Sequence, residues 1–257
     1  MKRVLTAVIL IPLVGGLVFK GSNRSVRVAL ALVALLCLNE FLKLAAHYGV
    51  QPMRLAAYLA GAWVVLAGEI VPGPVFFLVV TLLLLTLAMR GGRELTGSLT
   101  SAGGTLLGIV YTAAPFRLAG DLHASSPHWL FYALLLNWIG DAAAYYAGRL
   151  AGRHKLAPRI SPAKTWEGAA ASLLVSAPLG ALYLRHFLPQ GPSLAFAVVL
   201  SLAVNMAAQV GDLAESALKR GANVKDSGSL LPGHGGVLDR LDGLLFSIPV
   251  ISLALSR

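Results

Sequence analysis

The sequence predicts an all-α protein of the polytopic integral-membrane class, with about nine transmembrane helices. Three observations predict it. Of the 257 residues, 57% are hydrophobic and only 12% are charged, and the mean hydropathy is +0.75; a water-soluble fold of this size needs far more charge on its surface. The apolar residues fall in runs of roughly 15 to 20, the length a bilayer-crossing helix needs, separated by short polar or Gly/Pro-rich segments. Basic residues border these runs. The formal charge of +10 therefore reads as a membrane-topology signal and not as a nucleic-acid footprint, which would need a basic domain with interleaved aromatics.

The first span is Val4 to Phe19. Met1-Lys-Arg before it has the look of a secretory leader, but Lys20-Gly-Ser-Asn-Arg24 offers no small-x-small cleavage pattern, so a retained helix is expected. The second runs from Val26 to Ala46 and holds Asn39 and Glu40 near its end, where polar groups are expected at the membrane interface. Leu55 to Ile70 is the third, closed by a turn at Pro72-Gly-Pro74. Val75 to Met89 is the fourth, ending at Arg90-Gly-Gly-Arg-Glu94. The fifth, Gly103 to Leu118, carries Gly104 and Gly108 as a small-xxx-small face, and also Pro115. Residues 1–120 thus read as an N-terminal scaffold. Their plain role is wall or subunit contact, which leaves a homodimer open.

Residues 121–257 read as the region that carries chemistry. The sixth span, Trp129 to Ala147, places Asn137, Asp141 and Tyr145 one turn apart; a carboxylate there costs about 2.5–3.5 kcal/mol on insertion and needs a compensating partner. The loop 149–168 follows, with Arg149, Arg153, Lys155, Arg159, Lys164 and Glu167. It serves as a positive-inside signal and also as a candidate anion site. Ala169 to Phe187 is the seventh span, followed by a turn at Pro189-Gln-Gly-Pro192. The eighth starts near Ser193. If it is helical through Arg220 it is roughly 42 Å long and projects beyond the bilayer, with Asn205, Gln209, Asp212 and Ser216 as one polar stripe. The ninth begins near Val237 and ends at Leu255.

Between the last two spans lies a polar island, residues 211–242, which holds five of the chain's 11 acidic residues. Asp212, Glu215, Ser216 and Lys219 fall on one helix face, and Asp239 and Asp242 are again three apart. Pro232-Gly-His-Gly-Gly236 lets the backbone take φ > 0 and approach a ligand, and its amides can hold phosphate oxygens. Carboxylates, bases and a glycine turn together suit metal-assisted phosphate chemistry; the plain alternative is a mixed-charge loop. Cys37 is the only cysteine and the six histidines lack HxH or HxxxH spacing, which argues against a Cys or His metal site.

Ser216, Lys219-Arg220, Lys225-Asp226, Pro232-Gly-His-Gly-Gly236 and Asp239-Arg-Leu-Asp242 together resemble the signature of the CDP-diacylglycerol synthase (phosphatidate cytidylyltransferase) family, and Ile160 to Gly168 resembles a second, less specific block of it. The resemblance implies transfer of a cytidylyl group from CTP to phosphatidate, with Mg2+ as cofactor and room for a second, monovalent cation. It implies Asp212 and Asp239 as metal ligands, with Asp242, Asp226 and Lys225 beside them in catalysis. Lys164, Lys219, Arg220, Ser216, Gly233, His234, Gly235, Gly236, Arg240 and Asp141 are the substrate-binding candidates.

With nine spans and Met1 inside, 15 of the 21 lysines and arginines fall on the inner side, with both motif loops. This predicts a bacterial-type inner (plasma) membrane protein whose site faces the cytoplasm, where CTP is found. The expected partners are CTP, phosphatidate and membrane lipids, and no nucleic acid. Two other readings stay open: a kinase or cytidylyltransferase for another lipid, and a secondary transporter for an anionic solute built on Asp141 and Asp212.

Overall fold

A computed structural model describes residues 2–67, 73–90, 95–188, 191–230 and 235–256. The expected turns at residues 72, 91–94 and 189–190 fall at least partly outside them, as do Gly233 and His234. The described residues form α1 (Lys2–Lys20), α2 (Asn23–His47), α3 (Arg54–Leu66), α4 (Gly73–Arg90), α5 (Ser98–Gly108), α6 (Ala114–Ser125), α7 (Pro127–Ala151), α8 (Trp166–Phe187), α9 (Leu194–Gly221) and α10 (Leu238–Leu255). Hydroxyl side chains start four of these. Ser22, Ser126, Thr165 and Ser193 accept hydrogen bonds from the backbone N–H of Ser25, His128, Gly168 and Phe196, satisfying amides that have no partner within the helix.

Two expectations are corrected. The fifth span is not one regular helix: α5 passes through a π-helical turn, Ile109–Ala113, into α6. Pro115 is the cause we assign, because it lacks an N–H and its ring crowds the carbonyl one turn back. The chain is also not purely α. The basic loop folds as an antiparallel hairpin of β1 (Lys155–Ala157) and β2 (Ser161–Thr165), pairing Lys155 with Thr165 and Ala157 with Ser161.

The helices form two apolar clusters. One gathers α7, α8, α9 and α10 around Tyr132, Leu136, Leu184, Val204 and Ile248. The other gathers α2 to α6 around Leu38, Leu42, Val65, Ile109 and Phe116. Helix α10 contributes to both, through Ile248 and Ile251 to the first and through Leu238 and Leu245 to the second. Helices α9 and α10 meet closely at Gly211, where a Cβ would lie 2.5 Å from the Asp242 carbonyl oxygen.

Polarity runs inside out. Leu55, Leu59, Leu78, Leu174, Leu182 and Val199 are exposed, whereas Ser172, Ser176, Ser201, Asn205 and Glu215 are buried. Hydrocarbon, unlike water, solvates such a surface. Helices α2, α8 and α9 are long and apolar enough to cross a membrane, and shorter apolar helices include Ile11–Lys20, Arg54–Leu66 and Pro74–Met89. Among the described residues, three helices are thus full-length candidates, and shorter apolar helices accompany them.

Candidate active site

The sequence separates the hairpin from the polar island by an entire helical pair, yet they meet at one end of the bundle. Arg220 Nε at the end of α9 donates to the Ile160 carbonyl at 3.3 Å, and Lys164 Nζ of β2 lies 2.5 Å from Asp212 Oδ2. The hairpin is anchored to α8 by Glu167, which accepts from the His154 N–H at 3.2 Å and pairs with His154 Nδ1 at 2.6 Å.

Under the hairpin lies a cleft of about 420 Å³, bounded by Asp141, Tyr145 and Arg149 of α7, Lys164 of β2, Ser172 of α8, and Gln209 and Asp212 of α9. The polar stripe of α9 leads into it. Asn205 is buried and donates to Ser172 Oγ at 3.0 Å and to Ser176 Oγ at 3.1 Å; Gln209 Nε2 donates to Asn205 Oδ1 at 2.7 Å and to the Ala169 carbonyl at 3.3 Å. Only from Gln209 onward does the stripe face open space. Asn137, expected beside Asp141, turns to α10 and donates to Ser247 Oγ at 3.0 Å. At the mouth, Arg149 Nη1 donates to Tyr145 Oη at 3.1 Å.

The expected face of Asp212, Glu215, Ser216 and Lys219 is present but divided by its neighbours. Ser216 Oγ donates to Asp212 Oδ1 at 3.4 Å on the cleft side. Glu215 and Lys219 pair with each other and are covered, Glu215 completely. Lys219 Nζ also lies 2.6 Å from Asp239 Oδ1, so one ammonium joins two buried carboxylates from α9 and α10. Asp239 further accepts from the Ser227 N–H at 3.0 Å and the Gly236 N–H at 2.7 Å. Gly235, at φ +79°, makes the left-handed turn that brings the Gly236 amide round to Asp239.

Of the expected site residues, the structure therefore brings together Asp141, Lys164 and Asp212 around the cleft, with Ser216 on Asp212, and groups Lys219, Asp239, Gly235 and Gly236 at the start of α10. Asp242 and Asp141 lie close enough to Asp212 to feel its charge, and Arg240 close enough to feel that of Asp141. Arg220, Arg240, Lys225 and Asp226 are wholly or largely exposed at the same end. Among the described residues, no hydrogen bond or ion pair joins Asp212 to Asp239; each faces a lysine instead.

Two residues that sequence reasoning did not select belong to this constellation. Glu215 is the third member of the Lys219 group. Glu40, expected at the membrane interface, is buried and accepts from Ser227 Oγ, the Val237 N–H and the Leu238 N–H. A signal was present for both, since Glu40 is a carboxylate in an apolar run and Glu215 shares a helix face with Asp212 and Lys219, but the elements that cover them were not legible locally.

No three or more His, Cys, Asp or Glu side chains among the described residues are grouped to hold a metal ion. The donor chemistry nevertheless fits a divalent cation. Asp141, Asp212, Glu215, Asp239 and Asp242 are five carboxylates, against four basic side chains near them, Arg149, Lys164, Lys219 and Arg240, and carboxylate oxygens are the donors a hard cation takes. A small hard cation takes one or two carboxylates and completes its shell with water, so Asp212 with one neighbour would be enough to hold one.

The family model described as "Cytidylyltransferase family" matches residues 1–256. Proteins named phosphatidate cytidylyltransferase from Staphylococcus saprophyticus and Staphylococcus aureus are each 38% identical to this chain, over 158 and 160 residues. One from Staphylococcus epidermidis is 37% identical over 158 residues. In all three the aligned part is 62% of this chain and 60% of the relative, so the chain spans three fifths of the length of the relatives it matches.

Proposed function

Because the chain belongs to the cytidylyltransferase family, we propose that it transfers the cytidylyl group of CTP to phosphatidate, giving CDP-diacylglycerol and pyrophosphate for phospholipid synthesis. The names of its relatives support the substrate pair. The observation that carries the reading is the cleft holding the Lys164–Asp212 pair at one end of a bundle whose outer face is apolar. Such a cleft lets a lipid enter sideways while a nucleotide enters from water.

In this reading an oxygen of the phosphatidate phosphate attacks the α-phosphorus of CTP, a new P–O bond forms, and the bond to the β-phosphate breaks, releasing pyrophosphate. Both reactants are anions. Lys164 and Arg149 lower their repulsion in the cleft, and Arg220, Arg240 and Lys225 do so at its rim. Ser216 and Asp141 orient substrate, and the turn at Gly235 gives phosphate oxygens a close approach to the backbone, with the Gly236 amide held by Asp239. We assign Asp212 and Asp239 to a divalent ion, Mg2+, with Asp242 and Asp226 beside them. Each of the first two already faces an ammonium, hence a site where positive charge is stabilised. When bound, the ion supplies neutralisation of phosphate charge in the transition state. Lys219 acts on the reaction by holding Asp239.

The reading also takes about nine crossings of a bacterial plasma membrane with the site toward the cytoplasm, supported by the charge bias of the loops. Residues 121–257 carry the chemistry and 1–120 the scaffold. The test is product analysis with purified protein, CTP and detergent-dispersed phosphatidate. Pyrophosphate and a CDP-lipid are expected in equal amounts. Release of CDP would mean a lipid kinase, and no turnover would leave transport.

A further inference from the structure

Glu40 lies toward the C-terminal end of α2, in the half of the chain read as scaffold, and is 4% exposed. No lysine or arginine among the described residues pairs with it. A buried carboxylate without a cation is costly unless donors satisfy it. Here three do: Ser227 Oγ at 3.1 Å, the Val237 N–H at 3.0 Å and the Leu238 N–H at 2.8 Å.

Those donors are not arbitrary. Helix α10 has no side-chain cap at Val237; of its first amides that of Arg240 turns to the Val237 carbonyl, and those before it find no acceptor within the helix. Glu40 accepts two of them from a helix nearly the whole chain away, with its negative charge at the positive end of the α10 dipole. The island also makes room for it. A Cβ on Gly228 would lie 2.5 Å from Glu40 Oε1, and one on Gly236 would collide with Glu40 Oε2. Ser227 and Gly236 are the same two residues whose amides Asp239 holds. Two carboxylates, one from each half of the chain, grip one loop.

We infer that Glu40 is a positioning residue for the reaction: it fixes the start of α10 and so sets where Asp239, Arg240 and Asp242 stand relative to Asp212 and Lys164. The kinetic part rests on the cytidylyl-transfer reading; the structural part does not.

The test uses the full chain purified in detergent, with Glu40→Ala and the isosteric Glu40→Gln, which keeps one acceptor oxygen and turns an amide group toward the donors. Two readouts are taken. The kcat of Glu40→Ala should fall at least about 10-fold, the scale of a small misplacement of reacting groups. KM for CTP should move less than about 3-fold, because no substrate contact is lost. Glu40→Gln should fall between wild type and Glu40→Ala. Hydrogen exchange at the amides of Ser227, Gly236, Val237 and Leu238 should quicken, while that of α8 stays at the wild-type rate. Wild-type kcat in both variants overturns the inference, and so does faster exchange spread evenly through α8 and α9, which is general loosening. If Glu40→Ala does not accumulate as folded protein, Glu40→Gln decides by the same readouts. If the wild-type chain does not convert CTP and phosphatidate, the functional reading fails, and the exchange result alone decides whether Glu40 holds the loop.

Discussion

Replacing Lys219 by methionine should unfold the protein more readily than any single change at the cleft. The ammonium of Lys219 joins Glu215 and Asp239, and all three side chains are withdrawn from solvent, at 12%, 0% and 3% exposure. Methionine keeps the length of the chain and removes the charge, leaving two carboxylates facing each other without a cation. Breaking a buried ion pair on one side costs about 3–5 kcal/mol. At about 2–4 °C per kcal/mol for a chain of this size, the melting temperature should fall by about 6–20 °C. Glu215→Gln alone should cost only about 1 kcal/mol, because Lys219 keeps Asp239 and the amide can still meet the ammonium. In the Lys219→Met background the same Glu215→Gln change should be stabilising, since it removes one unpaired charge. Cys37 is the only cysteine and is buried, so a thiol-reactive fluorogenic dye reports unfolding in detergent. Lys219→Met melting within about 2 °C of wild type, below the cost of an unpaired buried charge, would refute the argument. So would Glu215→Gln destabilising both backgrounds equally.

At the cleft, Lys164→Ala should raise KM for CTP or phosphatidate, or lower kcat, by about 10-fold or more. The same variant should melt within a few degrees of wild type, because the Lys164–Asp212 pair is partly exposed and contributes at most about 1 kcal/mol. Gly211→Ala should separate α9 from α10, since its Cβ would meet the Asp242 carbonyl at 2.5 Å. A loss of about 1–3 kcal/mol is expected in the same melting assay. Ser229 is exposed on the island, so Ser229→Cys in a Cys37→Ala background should react with an impermeant maleimide only after cells are permeabilised. Labelling of intact cells would place the site on the other side.

How far these features were legible in the sequence depends on the range of the interaction that makes them. The helices follow from apolar runs, and the stripe Asn205–Gln209–Asp212 follows from helical spacing, so both were readable. The face of Asp212, Glu215, Ser216 and Lys219 was readable as a face, but its division was not. The hairpin reaches Asp212 through Lys164, while α10 covers Glu215 and Lys219, and neither neighbour is local. The hairpin itself left little trace. Strands of three and five residues, with Pro158 just after the first and Pro162 inside the second, show no alternation, and they are tied by tertiary contacts such as Arg220 to the Ile160 carbonyl. Pro115 was visible, but its effect on the fifth span was underestimated. Glu40 looked interfacial because its partners stand 187 to 198 positions away.

The central claim is that the carboxylates of α9 and α10 serve cytidylyl transfer through a shared divalent ion. It is tested most directly by following CDP-diacylglycerol formation from CTP and phosphatidate at low millimolar Mg2+, comparing wild type with Asp212→Asn and Asp239→Asn. Asparagine preserves the shape and much of the hydrogen bonding but is a poor Mg2+ ligand. The account predicts that both variants insert and fold, and that each loses turnover by at least about 100-fold, the scale of one lost transition-state charge contact. Near wild-type turnover in either variant would contradict it.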